Sequence, residues 1–450
     1  MVRVETSVPV VRERWSSKLA FILAATGAAV GLGNIWRFPY MAGMYGGSTF
    51  LLIYLIFVLI IGLPIMIAEI LIGRRSRKNP VDALITLAQE SNHSRKWGLL
   101  GWLGALALLL ILSFYSVVAG WSVAYLIKSF SNEFYQLDPA QITSMWKSFL
   151  ANPWHLLGWH SIFMFLTMVV VAKGVKGGLE KATKFMMPAL YVILFILVIY
   201  AFSYGNFNKG FHFLFDFNHS KIRTSVVIAA LGHAFFTLAL GAGAMAMYGA
   251  YVPRNVNLGK TVLIVASLDV LVAILSGLAI FPIVFAYHLP PNSGPGLMYV
   301  TLPIILAHLS SGWFIGGLFF LLLLFAAWTS SINLAEPLVV ILTERLGLKR
   351  TYAAIIIGLT AWFIGIGSVL SFNRWQSIKL HGLTIFDIST NLPTDIILPL
   401  GGLGFAIFAG WVMKKTITQK EVPSEIYSIW RFLVRYVAPL GILIVFISSI

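Results

Sequence analysis

Long apolar runs, separated by short polar or basic stretches, make up nearly the whole chain. Eleven can be drawn, at residues 17–43, 46–74, 98–128, 158–174, 183–203, 225–251, 259–288, 313–345, 350–372, 392–414 and 431–450. Each comes close to or exceeds the roughly 20 residues that a helix needs to cross a bilayer core. The pattern predicts an all-α polytopic membrane protein with a single transmembrane domain, residues 1–16 forming a tail before the first helix.

Two of the runs cannot be unbroken helices. In the first, Gly27, Gly31 and Gly33 fall within seven residues, and glycine weakens a helix interior. Lipid cannot satisfy the carbonyl and N–H groups freed by a break, so they must face protein, water, an ion or a substrate. Asn34 and Arg37 lie just beyond, and both are expensive at that depth without a role. The sixth run repeats the arrangement, with Gly241 and Gly243 at the break and Thr237 one turn earlier. Interruptions five helices apart point to an inverted-repeat transporter, here with halves 17–203 and 225–414 and an eleventh helix at 431–450. The half-helix ends offer N–H groups to an anion and carbonyls to cations.

Composition acts mainly by exclusion. The chain is 59% hydrophobic and only 11% charged, beyond what a soluble domain of this size needs. Cysteine is absent, which removes disulfides, thiolate metal sites and cysteine nucleophiles. His233, His288 and Asp269 have no spacing suited to a nucleophile–base pair or a metal cluster, which argues against a membrane enzyme. The net charge of +16 could suggest nucleic acid, but its distribution sets topology instead. With the N-terminus inside, the basic stretches at 74–78, 95–96, 173–184, 345–350 and 414–420 are cytoplasmic. Only Lys128, Lys147, Lys209, Lys221, Arg223, Arg374 and Lys379 lie outside. This is the positive-inside bias.

Other residues carry chemistry with a bland reading beside each. Glu69, the only acid of the second run, fits a structural partner to unwound backbone better than a wet interfacial carboxylate. Tyr115, in aliphatic surroundings, needs a partner for its hydroxyl. Gly178 and Pro188 weaken the start of the fifth helix, or are a turn and a kink. Asp269 is the sole carboxylate of the seventh run. The Thr329 and Ser330 hydroxyls suit sodium as hard ligands, or bond back to their own helix. Arg12 and Trp15 are an interfacial anchor or a cytoplasmic latch.

On Gly31-Leu32-Gly33-Asn34-Ile35-Trp36-Arg37-Phe38-Pro39, Phe235-Phe236-Thr237-Leu238, and Thr329-Ser330-Ser331-Ile332 followed by Glu336-Pro337, the chain resembles the bacterial branch of the neurotransmitter:sodium symporter family. The resemblance covers nearly its whole length. It implies the leucine-transporter fold, sodium-coupled amino acid uptake by alternating access, and a bacterial inner membrane with the N-terminus cytoplasmic. It also implies two sodium sites. One would use Ala29, Asn34, Thr237, Asp269 and the substrate carboxylate. The other would use the carbonyls of Gly27, Val30 and Ala326 with the Thr329 and Ser330 hydroxyls. The substrate carboxylate would rest on the amides of Gly31, Leu32 and Gly33 and on Tyr115, and its amino group on the carbonyls of Ala28, Phe236 and Thr237. Ile111, Phe236, Ala239, Ala242 and Leu334 would line the side-chain end, with Ser330 at the pocket edge. Arg12, Glu344 and Tyr251 would form the inner latch, and Gly178 and Pro188 would let the fifth helix unwind.

Particular positions sharpen this expectation. Asp269 supplies a fixed negative charge and Ala273 offers no chloride ligand, so no chloride requirement is expected. Gly31 stands where amine carriers of the family have an aspartate, so the substrate must bring its own carboxylate. Small residues at Ala239 and Ala242 suggest a branched aliphatic or aromatic side chain. The outer gate should pair Arg37 with an acid on the tenth helix. Counting back from Trp411 places that acid at Thr390, so either a register shift brings Asp387 to Arg37 or the gate is weaker and water-mediated, with Asp395 the weaker candidate. His233 is either a neutral hydrogen-bonding histidine or a pH-responsive group of the outer vestibule. A transport-inactive sensor, or a carrier of another small zwitterion, stays open as an alternative.

Overall fold

The structure, a computed structural model, describes residues 15–218, 221–254, 256–291, 297–309 and 311–447. Arg12 of the expected inner latch lies outside the described residues. All eleven apolar runs appear as helical segments. Among the described residues, nine are continuous helices long and apolar enough to cross a membrane. The first is a bent pair, Lys18–Ala29 and Gly33–Met44, turned by 47°. The sixth is split into Thr224–Thr237 and Ala244–Ala250. The sheet among the described residues is one small hairpin, Lys379–Leu380 against Leu383–Thr384, antiparallel.

The third segment, Arg95–Phe130, and the eighth, Gly312–Leu346, are the central pillars. Burial covers 72% and 67% of their apolar windows, against 33% for the last segment, Ser424–Ile447. The outward faces carry large exposed apolar side chains, such as Phe185, Ile199, Phe363 and Ile447. That is the surface lipid requires, and it makes the chain a multi-pass membrane protein.

Helices approach closely where small residues permit it. A Cβ on Gly73 of the second segment would lie 1.7 Å from the Ala246 carbonyl oxygen. One on Gly249 would lie 2.3 Å from that of Ile70. The inner half of the sixth segment therefore packs backbone to backbone on the second. At the same end, Trp15 is buried between the rings of Tyr248 and Tyr251, at 5.4 and 6.0 Å.

Candidate ion and substrate site

The first break begins where Val30 turns extended after Lys18–Ala29, and the chain resumes as a π turn over Gly33–Arg37. Three contacts hold the open backbone. The Gly31 N–H donates to Asn34 Oδ1 at 3.0 Å, and the Leu32 N–H donates to the Tyr115 hydroxyl at 3.1 Å. Ser330 Oγ donates to the Val30 carbonyl at 3.1 Å and, more distantly, to that of Gly27 at 3.4 Å. Glycine is needed here for close approach: a Cβ on Gly31 would stand 2.3 Å from Ser330 Oγ and 2.9 Å from the Tyr115 hydroxyl.

The second break is a turn in the left-handed region. Ala239, Gly241 and Gly243 have φ of 51°, 86° and 75°. Glu69 Oε1 accepts from the Gly241 N–H at 2.6 Å. The carboxylate thus takes the backbone contact expected of it.

Asn34, Thr237 and Asp269 meet, fully buried. Asn34 Nδ2 donates to Asp269 Oδ1 at 2.8 Å, and Thr237 Oγ1 lies 3.1 Å from both carboxylate oxygens. Tyr54, unforeseen from sequence, donates to Asp269 Oδ2 at 3.2 Å. Its signal was the one used for Tyr115, a lone phenol in an aliphatic segment. The cluster offers a carboxylate, an amide and hydroxyls, all hard oxygen donors of the kind sodium prefers. Thr329 Oγ1 bonds back to its own helix, to the carbonyls of Phe325 and Ala326 at 3.0 and 3.1 Å, while Ser330 Oγ crosses to the first segment. Across from it, a Cβ on Gly27 would lie 3.3 Å from Thr329 Cβ.

Between the two breaks lies a small cavity. Ala28, Ala29, Gly31, Gly33, Ile111, Tyr115, Phe236, Ala239, Ala242, Ser330 and Leu334 line it, as do Leu108 and Leu398. Leu32 and Thr237 stand behind the wall in the contacts above. Leu108, three residues before Ile111, was legible from helical spacing; Leu398 comes from the tenth segment and was not.

Two expectations are corrected, the partner of Arg37 and the hydrogen bonding of His233. Arg37 pairs with Asp395 at 3.3 Å, not with Asp387, and its guanidinium stands 4.9 Å above the Phe236 ring. Asp387 instead closes a capping box with Thr384 at the start of Ile385–Asn391, and Thr390 Oγ1 bonds back to Phe386 and Asp387 carbonyls. The Tyr251 hydroxyl donates to Glu336 at 2.8 Å. Glu336 also pairs with Arg350, while Glu344 accepts from Asn79. Gly178 lies in a π turn, Val175–Leu179, next to the continuous helix Glu180–Tyr204 that contains Pro188. His233 is neither hydrogen-bonded nor exposed. It is buried among Phe38, Phe50 and Tyr54, and neither ring nitrogen has a partner among the described residues.

Comparison with known proteins agrees with this geometry. The model of the sodium:neurotransmitter symporter family matches residues 12–148 and 131–450. The chain is 35% identical over 445 residues to the sodium-dependent transporter YhdH of Bacillus subtilis, covering 97% of each chain. It is 34% identical over 452 residues to a sodium-dependent transporter of Haemophilus influenzae, covering 98% of each. Its structure is similar to the crystal structure of MhsT in complex with L-phenylalanine, with a TM-score of 0.91 and 41% identity, covering 98% of this chain and all of that one. The leucine-transporter fold, the two broken segments and this match agree: the chain belongs to the sodium:neurotransmitter symporter family and is a sodium-dependent symporter.

Proposed function

We propose that this symporter carries a hydrophobic L-amino acid, branched aliphatic or aromatic, into the cell with two sodium ions and without chloride. The observation that carries the reading is the polarity of the cavity. At one end stand the open backbone of Gly31 and Gly33 and the Tyr115 hydroxyl; the remaining wall, including Ile111, Ala239, Ala242, Leu334 and Leu398, is apolar. An α-carboxylate has N–H and O–H donors at the first end. A side chain with no polar atom leaves nothing unpaired at the other. MhsT, similar over the full chain, was crystallised with L-phenylalanine, which supports an aromatic or large aliphatic side chain.

In this reading the first sodium ion lies among Ala29, Asn34, Thr237 and Asp269, and the substrate carboxylate completes its shell. Affinities for sodium and amino acid are then linked and reciprocal. The second ion lies among Gly27, Val30, Ala326, Thr329 and Ser330. Asp269 balances the cation charge, and the buried methyl of Ala273 has no anion to hold. Arg37, Asp395 and Phe236 close the outer side; Trp15, Tyr251 and Glu336 close the inner side. The bundle of the first, second, sixth and seventh segments rocks against the rest, in a bacterial plasma membrane with the N-terminus cytoplasmic.

The test is sodium-activated binding of labelled L-phenylalanine with gluconate replacing chloride, competed by leucine, alanine and a monoamine. Unchanged binding, competed by leucine and not by the monoamine, is the expected result. Binding that collapses without chloride contradicts the role given to Asp269. Ala242→Phe should weaken phenylalanine more than alanine, because the added ring fills the apolar end.

A further inference from the structure

One buried polar group has no place in the site described so far. Asn333, on the eighth segment, is 1% exposed. Neither its Oδ1 nor its Nδ2 has a partner among the described residues. A buried amide left unpaired is a net loss to the fold, and leucine or alanine could occupy such a position without that loss.

Its place on the helix gives it a task. Asn333 is four residues after Thr329, so the two share a face one turn apart. Four residues further on is Pro337, inside the same helix. Proline has no N–H, so it cannot supply the helical bond that the Asn333 carbonyl would otherwise accept. The residue therefore presents two hard oxygens, its side-chain Oδ1 and its main-chain carbonyl, one turn from Thr329 and Ser330. The direction is toward Glu336, the buried acid bonded by Tyr251 and Arg350, and toward the end of the bundle that Trp15 covers. Across the interface, Gly27 packs on Thr329, and the hydroxyl of the preceding residue, Thr26, is likewise buried without a partner among the described residues.

We propose that Asn333 is a second stop for the sodium ion that leaves Thr329 and Ser330. It receives the ion through Oδ1 and its own carbonyl on the way to the inner side. The proposal rests on the reading of Thr329 and Ser330 as sodium ligands. In the closed protein shown here the amide is buried with no partner among the described residues. When the inner side opens, water and the departing ion satisfy it, so the amide favours the releasing state over the closed one.

Full-length protein with Asn333→Leu, which removes both side-chain polar atoms at similar volume, separates release from binding. Two quantities are read: the sodium midpoint for binding labelled L-phenylalanine in detergent, and initial uptake of phenylalanine and radioactive sodium into proteoliposomes. The midpoint should stay within about twofold of the parent, while both uptake rates fall about fivefold or more. The melting temperature should hold or rise, because an unpaired amide is gone. Asn333→Ala, which cannot clash, should show the same split, and Asn333→Ser, which keeps an oxygen, should recover at least about half the rate. Unchanged uptake in the leucine and alanine variants overturns the proposal, as does a sodium midpoint raised roughly tenfold, which would make Asn333 part of the binding site itself. Thr329→Ala tests the underlying reading separately. It should abolish sodium activation of binding, and if activation persists the second-site assignment fails whatever Asn333 does.

Discussion

The two breaks use glycine for different reasons. At the first, glycine makes room. Gly31 and Gly33 lie outside the left-handed region, and what an added Cβ would meet is side chain: Ser330 Oγ and the Tyr115 hydroxyl at Gly31, the Phe236 ring at Gly33. At the sixth, glycine makes the turn. Gly241 has φ 86°, its Cβ would stand 2.0 Å from the Leu398 carbonyl oxygen, and Glu69 holds its N–H. The first break is thus shaped by what docks on it and the second by its own backbone. Changes at the first should alter binding in a folded protein, and changes at the second should damage the fold.

Gly241→Ala sets the far end of that comparison. Left-handed strain and a backbone clash together should cost about 4 kcal/mol. The expected outcome is loss of monodisperse protein on extraction, read by size-exclusion chromatography and thermal melting. A stable protein with weakened binding would make the two breaks alike. Next comes Asp269→Ala, which strips Asn34, Thr237 and Tyr54 of their common acceptor. Removing a buried charge from its donors should cost about 3 kcal/mol, roughly a hundredfold in the sodium midpoint.

Gly31→Ala is smaller and discriminates best. Ser330 Oγ can swing aside, so the protein should fold, but the swing takes it off the Val30 carbonyl. Amino acid and sodium affinities should each fall roughly tenfold, about 1.4 kcal/mol, with little change in melting temperature. Smallest is Asp82→Asn, which belongs to neither break. Burial pushes the Asp82 carboxyl up, but hydrogen bonds from Arg345 and Asn79 outweigh it and hold the carboxyl below the usual carboxylate range. A depressed folded-state value means the stabilisation is present at neutral pH and fades as pH falls through that value. The ion pair is partly exposed, so its removal should cost less than about 1 kcal/mol and flatten the acid limb of the melting profile.

Much of this was legible in the sequence because the bilayer imposes strong rules. Apolar length located all eleven segments, and glycine in mid-segment located both breaks. Asn34, Thr237, Asp269, Thr329 and Ser330 stood out as polar residues in apolar segments, while the cavity wall came only from the family resemblance. The partner of Arg37 was not legible. Counting back from Trp411 assumed an unbroken α-helix, but the tenth segment contains π turns at Leu392–Ile397 and Phe408–Val412. Each holds an extra residue per turn, so counting along the segment does not fix which residue faces Arg37; Asp395 meets it, and Asp387 caps its own helix. Tyr54 and Leu398 were missed because each reaches the site from a segment with no motif of its own. His233 was misjudged because hydrogen bonding was assumed for any buried imidazole; here a shell of aromatic rings surrounds it.

The most direct test of the account is uptake of labelled L-phenylalanine into proteoliposomes in chloride-free buffer, with and without an inward sodium gradient. The account predicts concentrative uptake that requires the gradient, is competed by leucine, and is lost in Asp269→Ala. Uptake indifferent to sodium, or sodium-dependent binding of phenylalanine with no accumulation, would contradict it.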